Sequence, residues 1–284
     1  LRLVNVSIAA LAASVLAALA PPPARAQDAV DVELVLAVDV SLSMSYEELR
    51  IQRDGYAAAL THDNVLNAIR DGMHGKIAVT YFEWAGEGSQ YLVVPWTVIA
   101  SRADAQAVAA KISANPPNSA RRTSISSGLR YAHDLFAESG FRGSKRVIDV
   151  SGDGPNNQGE WVNLVRDEIV ARGIVINGLP LMTQGGSGSA FDVADLDRYY
   201  ENCVAGGPGS FVVPVNGWEN FPEAVRRKLV LEIAGLAPDQ WGPDQWGYAA
   251  AKASPALRQV AESAYDCQVG EKRWRGRGWE WDTP

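Results

Sequence analysis

Asp39, Ser41 and Ser43 alternate in the pentad Asp39-Val40-Ser41-Leu42-Ser43, directly behind the apolar run Leu34-Val35-Leu36-Ala37-Val38. One carboxylate and two hydroxyls are hard oxygen donors, a set suited to Mg²⁺ or Mn²⁺ and not to zinc or copper. The apolar run reads as a strand, so the pentad falls at its carboxyl end. In an open α/β sheet that edge is where ligands bind. Three donors need company, and two further residues can supply it. Thr123 opens a helix after the polar loop Asn115 to Arg122. Asp153, in Ser151-Gly152-Asp153-Gly154, follows the strand-like Arg146 to Val150, and its flanking glycines allow close backbone approach. Asp39, Ser41, Ser43, Thr123 and Asp153 therefore form a candidate cation site. The competing reading of each alone is local: Ser43 or Ser45 as a helix cap, Asp153 as a turn former.

The elements that must position these residues alternate. A strand at Asp31 to Val40 precedes a helix opened by the capping box Ser45-Tyr46-Glu47-Glu48 and running to about Leu60. Gly75 to Trp84 and Gln90 to Ile99 read as an antiparallel hairpin. Helices follow at about Ala103 to Ile112 and from Ser124, the second with Ile125, Leu129, Ala132 and Phe136 on one face. Next come a strand at Lys145 to Ser151, a helix at Glu160 to Arg172 and strands at Gly173 to Met182 and Ser210 to Val215. A helix near Val193 to Cys203 separates those last two strands. The last helix starts at an Asn220 cap and buries Phe221, Val225, Leu229 and Ile233, with Gly235 closing the regular part. Repeated strand-helix units predict a doubly wound, mostly parallel six-stranded sheet with one antiparallel edge strand and helices on both faces.

Residues 1–26 read as an export signal, with Arg2 before an apolar Val4 to Ala20 and a small-x-small cleavage site at Ala24-Arg25-Ala26. A retained anchor is the alternative. Cleavage after Ala26 leaves 258 of the 284 residues, enough for one α/β domain with an appendage. Loss of Arg2 and Arg25 moves the formal charge from −7 to −9. An acidic surface argues against nucleic acid as a partner. Cys203 and Cys267 are the only cysteines, and in an exported chain they read as a disulfide or as two buried thiols. A bridge over such a loop contributes about 4 kcal/mol in the chain-entropy account.

Other motifs carry less. Gly152-Asp153-Gly154 lacks the third glycine of a dinucleotide loop, Asn157 standing in its place. Ser41 replaces the second acid of a D-x-D pair, and neither H-E-x-x-H nor G-x-S-x-G occurs. His62, His74 and His133 share no ligand spacing. Glu83 and Trp84 end the second strand at the candidate edge, Glu83 as an acceptor behind the site and Trp84 as part of a partner-facing rim; an exposed acid and a packing Trp are the alternatives. Residues 237–284 form a Trp-rich tail with a tandem Pro-Asp-Gln-Trp-Gly and a short helix at Pro255 to Ala264. Its end, Lys272 to Trp281, mixes cations with aromatics. A partly ordered tail tied to the domain through the cysteines is favoured over membrane contact.

The order D-x-S-x-S, then Thr, then Asp resembles the metal-ion-dependent adhesion site of the von Willebrand factor A superfamily. VDVELVLAVDVS, Tyr81-Phe82-Glu83-Trp84, VIDVSGDGPNNQG, INGLP and RRKLVLEIAG are similar to an exported bacterial family with this domain, a family of unknown function, over residues 30–236. The resemblance implies Ser41, Ser43 and Thr123 as hydroxyl ligands, with Asp39 and Asp153 holding the ion or its water. It implies Mg²⁺, or Mn²⁺ or Ca²⁺, with an open position for an acidic side chain of a protein partner. It also implies a periplasmic or secreted location and a binding module, with an envelope enzyme or a structural module as alternatives. Leu42, Arg121 and Arg122 depart from the small residues more usual at such sites. Related domains couple the site to a shift of the last helix, Asn220 to Ala234, which a Cys203–Cys267 bridge near it would restrain.

Overall fold

The computed structural model describes residues 27–182, 193–235 and 265–277. The signal segment, most of the tail and the helix expected at Pro255 to Ala264 lie outside the described residues.

β1 (Asp28–Asp39) is the centre of the molecule because its apolar residues occupy both faces: every residue from Val30 onward is buried. Such a strand needs a neighbour on each side and a layer on each face. β2 (Ile77–Trp84) and β4 (Phe141–Gly152) flank it in parallel. β3 (Gln90–Ile99) closes one edge antiparallel to β2, and β5 (Val175–Pro180) lies parallel to β4. The order is β3-β2-β1-β4-β5. The chain therefore leaves β1 in both directions, and the crevice between the carboxyl ends of β1 and β4 is a topological switch point.

Alternation along β1 splits the core. Val32, Leu34, Leu36 and Val38 face α1 (Tyr46–Thr61), α3 (Arg102–Ser113) and α7 (Phe221–Ala234). Val35 and Ala37 face α4 (Ile125–Ala137), α5 (Val162–Ala171), the short α6 (Leu196–Tyr199) and the wide turn Tyr200–Val204 that follows it. The expected stripes hold: Ile125, Leu129, Ala132 and Phe136 are buried in α4, and Phe221, Val225, Leu229 and Ile233 in α7. Ser45 caps α1 in a complete capping box with Glu48, and Gly235 ends α7 in the left-handed region at φ 68°. The additional helix α2 (Asp63–Arg70) is capped by His62.

The sheet has five strands, not six. Residues around 211–215 run beside β5, with Gly178 N–H donating to Phe211 C=O at 3.0 Å and Val215 N–H to Pro180 C=O at 2.9 Å. Pro180 has no N–H to donate in its turn, so the ladder breaks into isolated bridges at Val212 and Val215.

One buried charge cluster pins α7 to the sheet. Lys228 Nζ lies 2.6 Å from Asp149 Oδ1 and 2.5 Å from Glu232 Oε1, all three side chains being buried. Asn177 donates to the same Glu232 oxygen at 2.9 Å. Two carboxyls share one ammonium, and burial followed by the nearby Asp149 pushes Glu232 up to about 7. A carboxyl whose folded value is raised binds its proton more tightly folded than unfolded, so its stabilisation is lost as pH rises from about 4.5 to about 7. Glu232→Gln is expected to gain on the wild type as pH is raised from 5 to 8, by about 3 kcal/mol at most. Urea unfolding of both proteins at the two pH values measures this. A wild-type-to-variant difference that is the same at both would contradict it.

Candidate metal centre

β1 turns sharply after Asp39. Ser41 N–H donates to Asp39 Oδ1 at 2.8 Å, and Met44 N–H closes the turn onto Ser41 C=O at 3.2 Å. The segment carrying Ala120 lies alongside, Ala120 N–H donating to Val40 C=O and Leu42 N–H to Ala120 C=O. That geometry lines up the hydroxyls: Ser41 Oγ and Ser43 Oγ are 2.9 Å apart, and Ser43 Oγ donates to Asp153 Oδ1 at 2.8 Å. Residues 110 positions apart in the chain thus meet across the switch point. Thr123 is bound to the Asp153 loop through its backbone. Its N–H donates to Asn157 Oδ1 at 3.0 Å, and Asn157 N–H donates to Thr123 C=O at 2.8 Å. The structure brings Asp39, Ser41, Ser43 and Asp153 into one hydrogen-bonded chain and holds Thr123 against the same loop.

Asp39 is fully buried, and its Oδ2 has no hydrogen-bond partner. Burial raises its carboxyl well above the usual range, and the Asp153 carboxylate adds to the shift. A buried, half-satisfied carboxylate is costly unless a proton or a cation compensates it. The donors around it are hard oxygens, so the residues present fit a small divalent cation. Among the described residues no group of three or more His, Cys, Asp or Glu that could hold a metal comes together, at this site or at any other.

Residues other than the candidate donors also shape the site. A Cβ on Gly152 would stand 2.8 Å from Asp39 Oδ2 and 2.7 Å from the Tyr200 hydroxyl, so only glycine lets β4 end here. Tyr200 is buried, its hydroxyl also lacks a partner, and burial with Asp39 nearby raises it well above the ordinary phenol value. Asn156 receives Ser126 N–H on its Oδ1 at 3.0 Å and donates through Nδ2 to the carbonyls of Gln158 and Glu160, fixing the Asp153 loop to the start of α4.

Glu83 is buried and acts as an acceptor behind the site. It takes Arg53 Nε at 2.5 Å and Asn118 Nδ2 at 2.7 Å, so it anchors the loop leading to Thr123. Trp84 is not a rim residue. It is fully buried against α4, where Gly128 makes room: a Cβ there would lie 3.2 Å from the indole. Leu42 within the pentad and Tyr46 just after it are exposed. Arg122 takes the left-handed conformation at φ 72°, which sends its guanidinium over the Trp274 ring, 3.6 Å from the centroid.

The bridge Cys203–Cys267 forms, with Cα atoms 5.5 Å apart. It does not flank α7: both cysteines pack on the α4–α5 face, and α7 covers the opposite face of the sheet.

Residues 29–237 match the family described as "protein of unknown function (DUF1194)". The chain belongs to that family. Its fold is of the von Willebrand factor A type. Proximal thread matrix protein 1 of the mussel byssus is 16% identical over 73% of this chain and 48% of its own, with a TM-score of 0.51. The form of that protein with a zinc-occupied MIDAS motif aligns at 17% identity and a TM-score of 0.50, over 73% of this chain and 49% of its own. The pilus adhesin SpaC of Lactobacillus rhamnosus GG aligns at 15% identity and a TM-score of 0.53, over 72% of this chain and 30% of its own. This chain thus spans half or less of those proteins, and the likeness concerns the fold. No curated protein matches the chain. No helix among the described residues is long and apolar enough to cross a membrane.

Proposed function

We propose that this protein is an exported binding module that holds Mg²⁺, or Mn²⁺ or Ca²⁺, through Asp39, Ser41, Ser43, Thr123 and Asp153, and uses it to capture an acidic side chain of a protein partner. One observation carries the reading: the buried Asp39 carboxylate, with its unsatisfied oxygen, stands at the end of the Ser41–Ser43–Asp153 chain. The ion would supply a Lewis-acidic position that accepts an incoming carboxylate. Only two of the five donors are carboxylates, so they no more than neutralise the divalent ion, and the three uncharged hydroxyls leave it able to attract a further carboxylate. The exposed Leu42 and Tyr46 give a partner apolar surface beside that position. The solved neighbours, one of them a pilus adhesin and another with a zinc-occupied MIDAS motif, support this assignment for the fold.

The experiment is partner capture from an envelope extract by the full chain, in Mg²⁺ and in chelator. Capture is expected in Mg²⁺ only, and Asp153→Ala is expected to lose it. Capture that ignores chelator and the substitution would end the adhesion reading. Phosphatase, protease or esterase turnover lost in the same variant would favour an enzyme instead.

A further inference from the structure

The described part of the tail, residues 265–277, is seated on the candidate site's outer side. Its helix α8 (Val269–Arg277) turns one face inward, and three residues at helical spacing, Gly270, Glu271 and Trp274, meet the two loops that carry Thr123 and Asp153. Gly270 lies against the Asp153 loop so closely that a Cβ would stand 2.0 Å from Asn156 C=O and 3.1 Å from Pro155 Cβ. Glu271 is buried, and its Oε1 receives Asn156 Nδ2 at 2.7 Å. Trp274 stacks under Arg122, the residue before Thr123. Upstream, the Tyr265 ring packs edge-on to Tyr199 at 6.1 Å, and the Tyr199 hydroxyl accepts Asn156 N–H at 3.1 Å. Asn156 and Arg122 are the immediate neighbours of Asn157 and Thr123, the pair in which Thr123 N–H donates to the Asn157 side-chain Oδ1 and Asn157 N–H donates to Thr123 C=O.

We infer that α8 is a clamp on the metal edge: Gly270, Glu271 and Trp274 are positioning residues that hold the Asp153 and Thr123 loops in register, and the Cys203–Cys267 bridge keeps them engaged. A nine-residue helix is too short to be stable by itself. Its place depends on the loops it grips and on the covalent tether two residues before its start, which raises its effective concentration at the site. Reduction of the bridge removes the tether and leaves every candidate ligand chemically intact. The bridge therefore makes loop order, and with it cation affinity, responsive to the thiol–disulfide state of the surroundings. The part of this that concerns affinity rests on the metal-binding reading above; the hold on the loops does not.

The test uses the full exported chain with Mn²⁺ as probe. Three perturbations release the clamp by different routes: reductant, Gly270→Val as a wedge, and Trp274→Ala with Glu271→Ala. Hydrogen exchange without metal is expected to quicken in residues 121–127 and 153–158 in all three, and to stay unchanged in β1 and α7. Mn²⁺ affinity is expected to weaken about tenfold or more, as when groups that orient metal ligands are lost. Trp274→Phe, which preserves the stacking under Arg122, is expected to retain wild-type affinity. Unchanged exchange in those two loops overturns the clamp. Faster exchange with unchanged Mn²⁺ affinity overturns its role in the site. Absence of Mn²⁺ binding in the oxidised wild type would instead defeat the metal reading, with the exchange result still deciding the clamp.

Discussion

Asp39→Asn is expected to weaken Mg²⁺ and Mn²⁺ binding by more than about 100-fold, above the range for residues that only orient ligands. At the same time the metal-free protein should become more stable at pH 7. The two effects share one cause. Asp39 is fully buried with Oδ2 unpartnered, beside the Asp153 carboxylate, and burial already raises it well above the usual carboxylate range. A neutral amide removes the cost of a buried negative charge and keeps an oxygen to receive Ser41 N–H, now at 2.8 Å from Asp39 Oδ1. It also removes the charge that attracts a cation. Calorimetric titration reads the first effect, and thermal melting with and without metal reads the second. Wild-type melting should rise in Mg²⁺ by mass action, and the variant's should not. A variant that loses both metal binding and metal-free stability would show Asp39 to be a structural acid.

Arg53→Ala is expected to cost about 3–5 kcal/mol, the range for removing one partner of a buried ion pair. Arg53 and Glu83 have side chains 4% and 0% exposed, which leaves Glu83 no water if its partner goes. Arg53 also donates to Ile112 C=O at 3.1 Å and to Asn115 C=O, and Glu83 Oε2 receives Asn118 N–H at 3.0 Å. The pair therefore ties α1, β2 and the loop towards Thr123 into one unit. Pairing Arg53→Ala with Glu83→Gln should recover part of the loss, because the stranded charge is then gone. Urea unfolding of the single and double variants measures it. A single-variant loss below about 1 kcal/mol would mean the pair is solvated in solution.

Local chemistry made much of this legible. The apolar run before Asp39, the capping box at Ser45 and Glu48, and the periodic stripes of α4 and α7 depend on neighbours three or four residues away, and they appear in the structure as read. The Asp153 loop was readable because glycines bracket an acid after a strand. What failed did so where a distant partner decides. Trp84 ends a strand at the site edge, yet Gly128 of α4 opens a slot that swallows it. The sixth strand has a β-rich sequence, but its partner offers Pro180 where an N–H is required. The cysteines pair as one of the two readings held, but on the face of the sheet away from α7, because Cys203 sits on the turn after α6.

The amino-acid sequence by itself determined the candidate donors and the chemistry proposed for them: two carboxylates and three hydroxyls at the ends of strands or starts of helices, hard oxygens suited to a small cation. Only the tertiary structure decided that Asp39, Ser41, Ser43 and Asp153 meet, with Thr123 held against the same loop through its backbone. Ser43 reaches Asp153 because β1 and β4 are adjacent and parallel, so their carboxyl ends share one crevice. The same folding leaves one oxygen of Asp39 buried without a partner, and seats Glu271 and Trp274 of the tail on the loops around it. Those contacts link residues dozens of positions or more apart. No local periodicity encodes them, since they exist only once burial of β1's two apolar faces has set the strand order.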